Sequence, residues 1–466
     1  MRRAGRTAVV VLLAGALSAR GAELPRGTII DKVTCKDDPA HSYALYLPSA
    51  YANERPWPIL YLLDARGRAL LALGLFREAA EARGYIVVSS YESASDRIDD
   101  PNVAAVRAMW HDAHARFSLD DRRAYAAGFS GTVRVLCAMA QLAPGSFAGI
   151  FGASGGFPSG RPPTKDVPFA FFGTTGLRDF NYLENLDLDE RLGELNLPHR
   201  VEVFDGEHEW PPAALAERGL AWLDLRAMRM GTLAADEVFI DAFVAGESSR
   251  ARRLEAAGEL HEAWRAWRAL AKDLAGLRDV ASLLGNAAAI ETSRAFRRDS
   301  RQRAARADDE RRFTDDAGRV LTRIVLETPP PTAGDVRAEL GLRRLLRQSQ
   351  RARNPEERFS AERRLSLLFV QAAFYAPRQL QEGKQDDRLL SLLSIAEEIE
   401  PRAPEVEYRL AAAYARRGSK TPALDHLERA IEAGWRDRAR LDAEDSFRAF
   451  RGDGRFVGMC ERLSRP

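Results

Sequence analysis

Cysteine is scarce in this chain: three in 466 residues, at Cys35, Cys137 and Cys460. So sparse and odd a set excludes a disulfide framework. The absence of any Cys-x-x-Cys pair argues against a structural zinc site. Cys137 lies in a helix-forming stretch and reads as a small core residue. Net charge is scarce too. The 69 basic residues are almost matched by 67 acidic ones, leaving +2, so nothing favours nucleic acid or an acidic polymer as partner. Long apolar runs are also missing. The run from Thr7 to Leu17 is too short for a stable membrane span. No cofactor is expected.

What is present is ordinary globular composition, with 45% hydrophobic and 29% charged residues, enough for each half to bury a core. The length implies two or three domains. Residues 1–22 carry the marks of a secretory signal: Arg2, Arg3 and Arg6, then the short apolar run, then Ser18, Ala19, Gly21 and Ala22. Export to the periplasm or outside the cell is the expectation.

From about residue 23 to 230, strand-like and helix-like stretches alternate. Strands are predicted at His41–Leu47, Pro58–Leu63, Tyr85–Ser90, Arg123–Phe129, Phe147–Ala153, Val167–Gly173 and Arg200–Phe204. Helices are predicted at Ala69–Arg83, Asn102–Phe117, Val133–Leu142, Tyr182–Leu195 and Pro212–Met230. Continuous apolar runs such as Pro58–Leu63 suit strands buried on both faces. The alternation predicts an α/β fold with a mainly parallel sheet under flanking helices, and an antiparallel start. Residues 231–247 read as a linker. Residues 248–466 lack strand signal and read as an all-helical domain. Within it, Pro404–Gly434 resembles a tetratricopeptide repeat: small Ala412 and Ala423 allow close helix approach, and Gly418 makes the turn. Gly258–Leu274 looks like a weaker copy.

The chemistry centres on Gly128-Phe129-Ser130-Gly131. A strand leads into it and a helix leaves it, which is how a strained turn presents a serine hydroxyl. The fifth position is Thr132 rather than glycine. Gly152-Ala153-Ser154-Gly155-Gly156 matches the five-residue pattern better, but the glycine and proline residues after Ser154 bar a helix there. Ser130 is therefore the candidate nucleophile. A serine needs a base. Of seven histidines, His208 follows a predicted strand in a loop where such sheets build sites. The acid that orients it is expected after the preceding strand, at Asp179. Two backbone donors must meet the developing oxyanion. One is the Gly131 amide. The other comes from Arg66 or Ala65, after the Pro58–Leu63 strand. His111 and His114 read as helix-surface residues rather than metal ligands.

Three motifs, Ser42-Tyr43-Ala44-Leu45-Tyr46-Leu47-Pro48, Gly128-Phe129-Ser130-Gly131 and Gly206-Glu207-His208-Glu209-Trp210, make residues 28–230 resemble the α/β-hydrolase superfamily. The resemblance is to its compact bacterial esterases, related to polyhydroxybutyrate depolymerases and feruloyl esterases. It implies a Ser130–Asp179–His208 triad. Asp64 stands where many relatives have the histidine of a His-Gly oxyanion motif. The expected function is an exported serine hydrolase acting on an ester-bearing small molecule or extended substrate. The alternatives are a peptidase using the same triad, or a non-catalytic scaffold that docks a protein partner through its helical domain.

Overall fold

The computed structural model describes residues 24–95, 101–381 and 384–464. The secretory-signal reading of residues 1–22 lies outside the described residues. Eight strands, β1 (Ile29–Thr34), β2 (Ser42–Tyr46), β3 (Trp57–Leu63), β4 (Ile86–Ser90), β5 (Leu119–Phe129), β6 (Gly149–Ala153), β7 (Ala170–Gly176) and β8 (His199–Phe204), form one sheet. Their order is β1-β2-β4-β3-β5-β6-β7-β8. Strand β2 runs antiparallel to both neighbours, and β4 through β8 are mutually parallel.

Helices α1 (Ala69–Arg83), α2 (Asn102–Arg116), α3 (Gly131–Leu142), α4 (Tyr182–Glu194) and α5 (Ala213–Arg229) connect or follow the strands. Side chains alternate across a strand, so β3 feeds two cores. Ile59, Tyr61 and Leu63 join Val106, Met109, Val133 and Leu136 on one face of the sheet. Leu60 and Leu62 join Leu73, Phe76, Leu220 and Trp222 on the other. That is why the run reads as continuously apolar. The antiparallel start is present, but β2 pairs with β4 rather than with β3. The edge strand β1 escaped the sequence reading because its alternation is broken by Asp31 and Lys32, both exposed.

The chain then turns wholly helical: α6 (Glu237–Ala256), α7 (Leu260–Leu274), α8 (Ala281–Thr292), α9 (Arg294–Leu326), α10 (Ala333–Glu339), α11 (Leu342–Arg351), α12 (Pro355–Val370), α13 (Asp386–Ile399), α14 (Pro404–Arg416), α15 (Lys420–Glu432), α16 (Arg438–Ala443) and α17 (Gly454–Ser464). The segment read as a linker, 231–247, is helix from Glu237 onward. Its Asp236 cap accepts from the Phe239 amide, and Ile240 is fully buried. A linker reading fails because this stretch carries Phe239, Ile240, Phe243 and Val244, which pack with Leu225 of α5. Helices α14 and α15 form a hairpin turned by Gly418 at φ +72, with Ala412 and Ala423 buried between them. The α6–α7 turn repeats the device: Gly258 has φ +79, and Ala263, five residues on, is fully buried.

The two halves meet through buried charge. Arg200 of β8, its side chain 2% exposed, pairs with Glu202 at 2.6 Å, with Asp273 of α7 at 3.0 Å, and with Glu247 of α6. Arg218 of α5 and Arg250 of α6 close the ring on the same glutamates. The Trp222 indole donates to Asp273 at 2.7 Å. Burial works against the Glu247 carboxyl's ionisation, but Arg200, Arg218 and Arg250 outweigh it and hold its pKa down at about 2. No single charge in this ring can be removed without stranding another. Arg200→Met is therefore expected to lower unfolding stability by about 3–5 kcal/mol, measured by urea denaturation of the full chain. A loss below about 1 kcal/mol would contradict the ring's role.

Candidate active site

Strand β5 ends at Phe129, and α3 begins at Gly131, so Ser130 alone makes the turn. Its backbone sits at φ +59, ψ −127, a conformation that costs roughly 1–3 kcal/mol and persists only where the surroundings enforce it. Close packing does so. A Cβ on Gly128 would lie 2.9 Å from the Val133 nitrogen, and one on Gly155 would lie 2.5 Å from the Ser130 carbonyl oxygen. The Ser130 amide donates to the Ala153 carbonyl at 2.8 Å, tying the turn to β6.

Thr132, the departure from the five-residue pattern, is fully buried. Its hydroxyl accepts from the Phe129 amide at 2.9 Å and lies 2.8 Å from both the Leu63 and Phe129 carbonyl oxygens. A glycine would supply none of these bonds. The threonine hydroxyl links the serine turn to the end of β3, the strand that leads into the Asp64–Arg68 loop. A β-branched residue is accommodated here with its hydroxyl bonded to backbone of both strands.

Ser130, His208 and Asp179 converge. The Ser130 Oγ lies 2.9 Å from His208 Nε2, and His208 Nδ1 lies 2.8 Å from Asp179 Oδ1. With the proton assigned to Nδ1, the imidazole donates to the carboxylate and accepts from the serine. Asp179 is fully buried, while the His208 side chain is 20% exposed. The same Asp179 oxygen accepts from the Asn181 amide at 2.8 Å. The imidazole is gripped between the rings of Phe180 and Phe129, 4.2 and 5.0 Å away by centroid. Asp179 follows β7, and His208 follows β8.

Ser154 directly follows β6 and is fully buried. Its hydroxyl donates to the Glu209 carbonyl at 3.2 Å, and its own carbonyl accepts from Asn181 at 2.9 Å. It braces the histidine loop and the aspartate turn and faces no imidazole. Phe129, Tyr182 and Trp210 are all buried beside the site; Phe129 and Trp210 stack on one another.

The oxyanion assignment needs correction at Arg66. Its amide donates to Asp64 Oδ1 at 2.8 Å, so it is turned inward and not free for a substrate. The cause is Asp64, a fully buried carboxylate. Its oxygens also accept from the Arg68 amide, from the Arg68 guanidinium at 2.9 and 2.8 Å, and from the Trp210 indole at 2.8 Å. Burial alone would push its carboxyl up, but Arg68, Trp210 and the two loop amides hold it below the usual carboxylate range. The sequence showed Asp64 only as a missing histidine. The readable signal was the spacing Asp64-x-Arg66-x-Arg68 after a buried strand, which lets one carboxylate collect amides and a guanidinium from its own loop. The Ala65 amide has no hydrogen-bond partner among the described residues. Gly131 opens α3, where first-turn amides have no intrahelical acceptor.

Among the described residues, one carboxylate and imidazole group has metal-ligand spacing: Glu397, Glu407 and His426. The Arg429 guanidinium already donates to Glu407 at 3.0 Å and to Glu397 at 3.4 Å, so a cation is in place without an ion. His114 is engaged by Asp121 and the Trp110 carbonyl. No helix among the described residues is long and apolar enough to cross a membrane.

The strand order, the antiparallel β2 and the strained serine between β5 and α3 define an α/β-hydrolase fold for the first half of the chain. No protein-family model and no curated protein matches the chain. Solved structures similar to it include an S-formylglutathione hydrolase from Staphylococcus aureus, 16% identical, aligned over 43% of this chain and 99% of that one at a TM-score of 0.34. A ferulic acid esterase is 16% identical over 42% and 96% of the two chains, at 0.33. An esterase from Mycobacterium marinum is 19% identical over 42% and 82%, also at 0.33.

Two outcomes follow. Thr132→Val keeps shape but removes the buried hydroxyl's bonds to the Phe129 amide and the Leu63 carbonyl, so a stability loss of about 1–3 kcal/mol is expected, read by chemical denaturation. Asp64→Asn should be less stable than wild type at neutral pH. Because the folded pKa of Asp64 is depressed, the wild-type advantage is complete above the ordinary value of 3.8 and shrinks as pH falls below it. Urea midpoints for both proteins across the acid range test this; a margin independent of pH would refute it.

Proposed function

We propose that the chain is a serine hydrolase that cleaves a carboxylic ester through an acyl-enzyme. The observation that carries this reading is the continuous hydrogen-bonded series from Ser130 through His208 to Asp179, at 2.9 and 2.8 Å. Ser130 Oγ attacks the ester carbonyl as its proton passes to His208 Nε2. Asp179 keeps the imidazole in the right tautomer and stabilises the cation that forms. The tetrahedral oxyanion receives the Gly131 amide and, with Arg66 committed to Asp64, the Ala65 amide. Collapse expels the alcohol, which takes the proton from His208. Water then attacks the acyl-enzyme with the same imidazole as base.

The leader at residues 1–22 directs the protein out of the cytoplasm in this reading. The α14–α15 hairpin, a tetratricopeptide-like pair at residues 404–434, offers a surface for a protein partner. The substrate is an ester whose acyl or alcohol part enters beside Phe180 and His208.

A fluorophosphonate probe tests the nucleophile. Ser130→Ala should abolish labelling and lower 4-nitrophenyl acetate turnover by at least ~10⁴-fold, while Ser154→Ala should still label. Labelling that survives in Ser130→Ala, or folded wild type that never labels, would end this reading.

A further inference from the structure

The turn that carries Asp179 is held from outside the sheet. Its amides are spent on the histidine strand and loop: Leu177 donates to the Phe204 carbonyl at 2.9 Å, and Arg178 to the Gly206 carbonyl at 2.9 Å. Tyr182 donates back to the Asp179 carbonyl at 2.9 Å to start α4. The Leu177 carbonyl, past the end of β7, accepts from Arg363 Nη1 of α12 at 2.8 Å. The same guanidinium lies over the Tyr182 ring, 4.3 Å from its centroid. One side chain thus grips the chain two residues before Asp179 and three residues after it.

Arg363 is itself fixed. Its other nitrogens make a fork to Glu310 of α9, Nε at 2.7 Å and Nη2 at 2.8 Å. Ser360 donates to the same carboxylate at 2.8 Å. The Arg363 and Glu310 side chains are 6% and 7% exposed. A planar guanidinium clamped on one edge presents its remaining nitrogen in one direction only. Two buried charges, both expensive to desolvate, are kept beside a backbone carbonyl of the aspartate turn. A domain contact needing only adhesion would be served as well by apolar side chains. The neighbouring Arg178 guanidinium, 6.0 Å from the Phe359 ring of α12, adds a second contact at the same turn.

We propose that Arg363, oriented by Glu310, is a positioning residue for Asp179, so that the helical domain is a working part of the hydrolytic site. The proposal rests on the serine-hydrolase reading. Its action is geometric. With the Leu177 carbonyl and Tyr182 held, the Asp179 carboxylate meets His208 Nδ1 in line. Without them the turn loosens, and small displacements of an orienting group cost rate far more than binding.

The test uses the full chain. Arg363→Met is expected to lower kcat for 4-nitrophenyl acetate by about 10–100-fold with KM changed by less than about 3-fold. Because Arg363→Met strands the Glu310 charge, the double substitution Glu310→Gln/Arg363→Met, which removes both charges, and Arg363→Lys are measured beside it, with folding checked by circular dichroism. A merely structural role is separated by a cycle with Asp179→Asn, read as the rate of fluorophosphonate labelling of Ser130. In that background, adding Arg363→Met should slow labelling by no more than about 2-fold, because the residue through which it acts is already disabled. An undiminished effect in the Asp179→Asn background, or an unchanged kcat in the folded variants, overturns the proposal alone. Failure of wild type to label overturns it together with the serine-hydrolase reading.

Discussion

A carboxylate with no access to water must find its hydrogen bonds inside the protein, and Asp64 does so by gathering three parts of the chain. It turns the loop after β3 inward through the Arg66 and Arg68 amides. It fixes Arg68, whose residue precedes α1, by a two-point ion pair. It holds Trp210, two residues past His208, through the indole. Trp210 stacks on Phe129, and Phe129 adjoins Ser130 and packs against His208. The loop after β3, the serine turn and the histidine loop therefore share one buried charge.

The sheet was largely legible because burial on both faces writes itself as apolar runs, as at Pro58–Leu63, and because helices such as Ala69–Arg83 keep their spacing between clear breaks. Ser130 was legible for the same reason: a strand before it and a helix after it are local properties. His208 and Asp179 were reached by following each strand to its end, and the three meet in space. What local sequence could not carry was bonding between distant segments. Thr132 looked like a flaw until its hydroxyl was seen to meet the Leu63 carbonyl, 69 residues away in sequence. Arg66 looked like a donor although a local signal, the Asp64-x-Arg66-x-Arg68 spacing, lets Asp64 fold back on its amide. The stretch 231–247 looked like a linker because the surface it buries belongs to another domain.

That last point alters how the helical half is understood. Its first two helices share the Arg200 charge ring with β8 and α5. Helices α9 and α12 hold the turn of Asp179 through Glu310 and Arg363. Arg265 of α7 bonds Asp189 and the Val201 carbonyl. The helical half therefore meets the sheet through charged groups desolvated at several points. Such an interface tolerates loss of a partner badly, and it favours one relative placement of the halves over a range of them.

The covering of β8 also bears on how copies of the protein can meet. A sheet of this kind has two ends at which a further strand could add. At one end, residues His199 to Glu202 of β8 are buried beneath the helical half. At the other end, among the described residues, no strand pairs with the outer side of β1. There Asp31 and Lys32 stand exposed, and the pairing with β2 slips between Ile30 and Val33. Charge and irregular register are what discourage strand addition at an edge. Continuous-sheet association is covered at one end by a domain and opposed at the other by sequence.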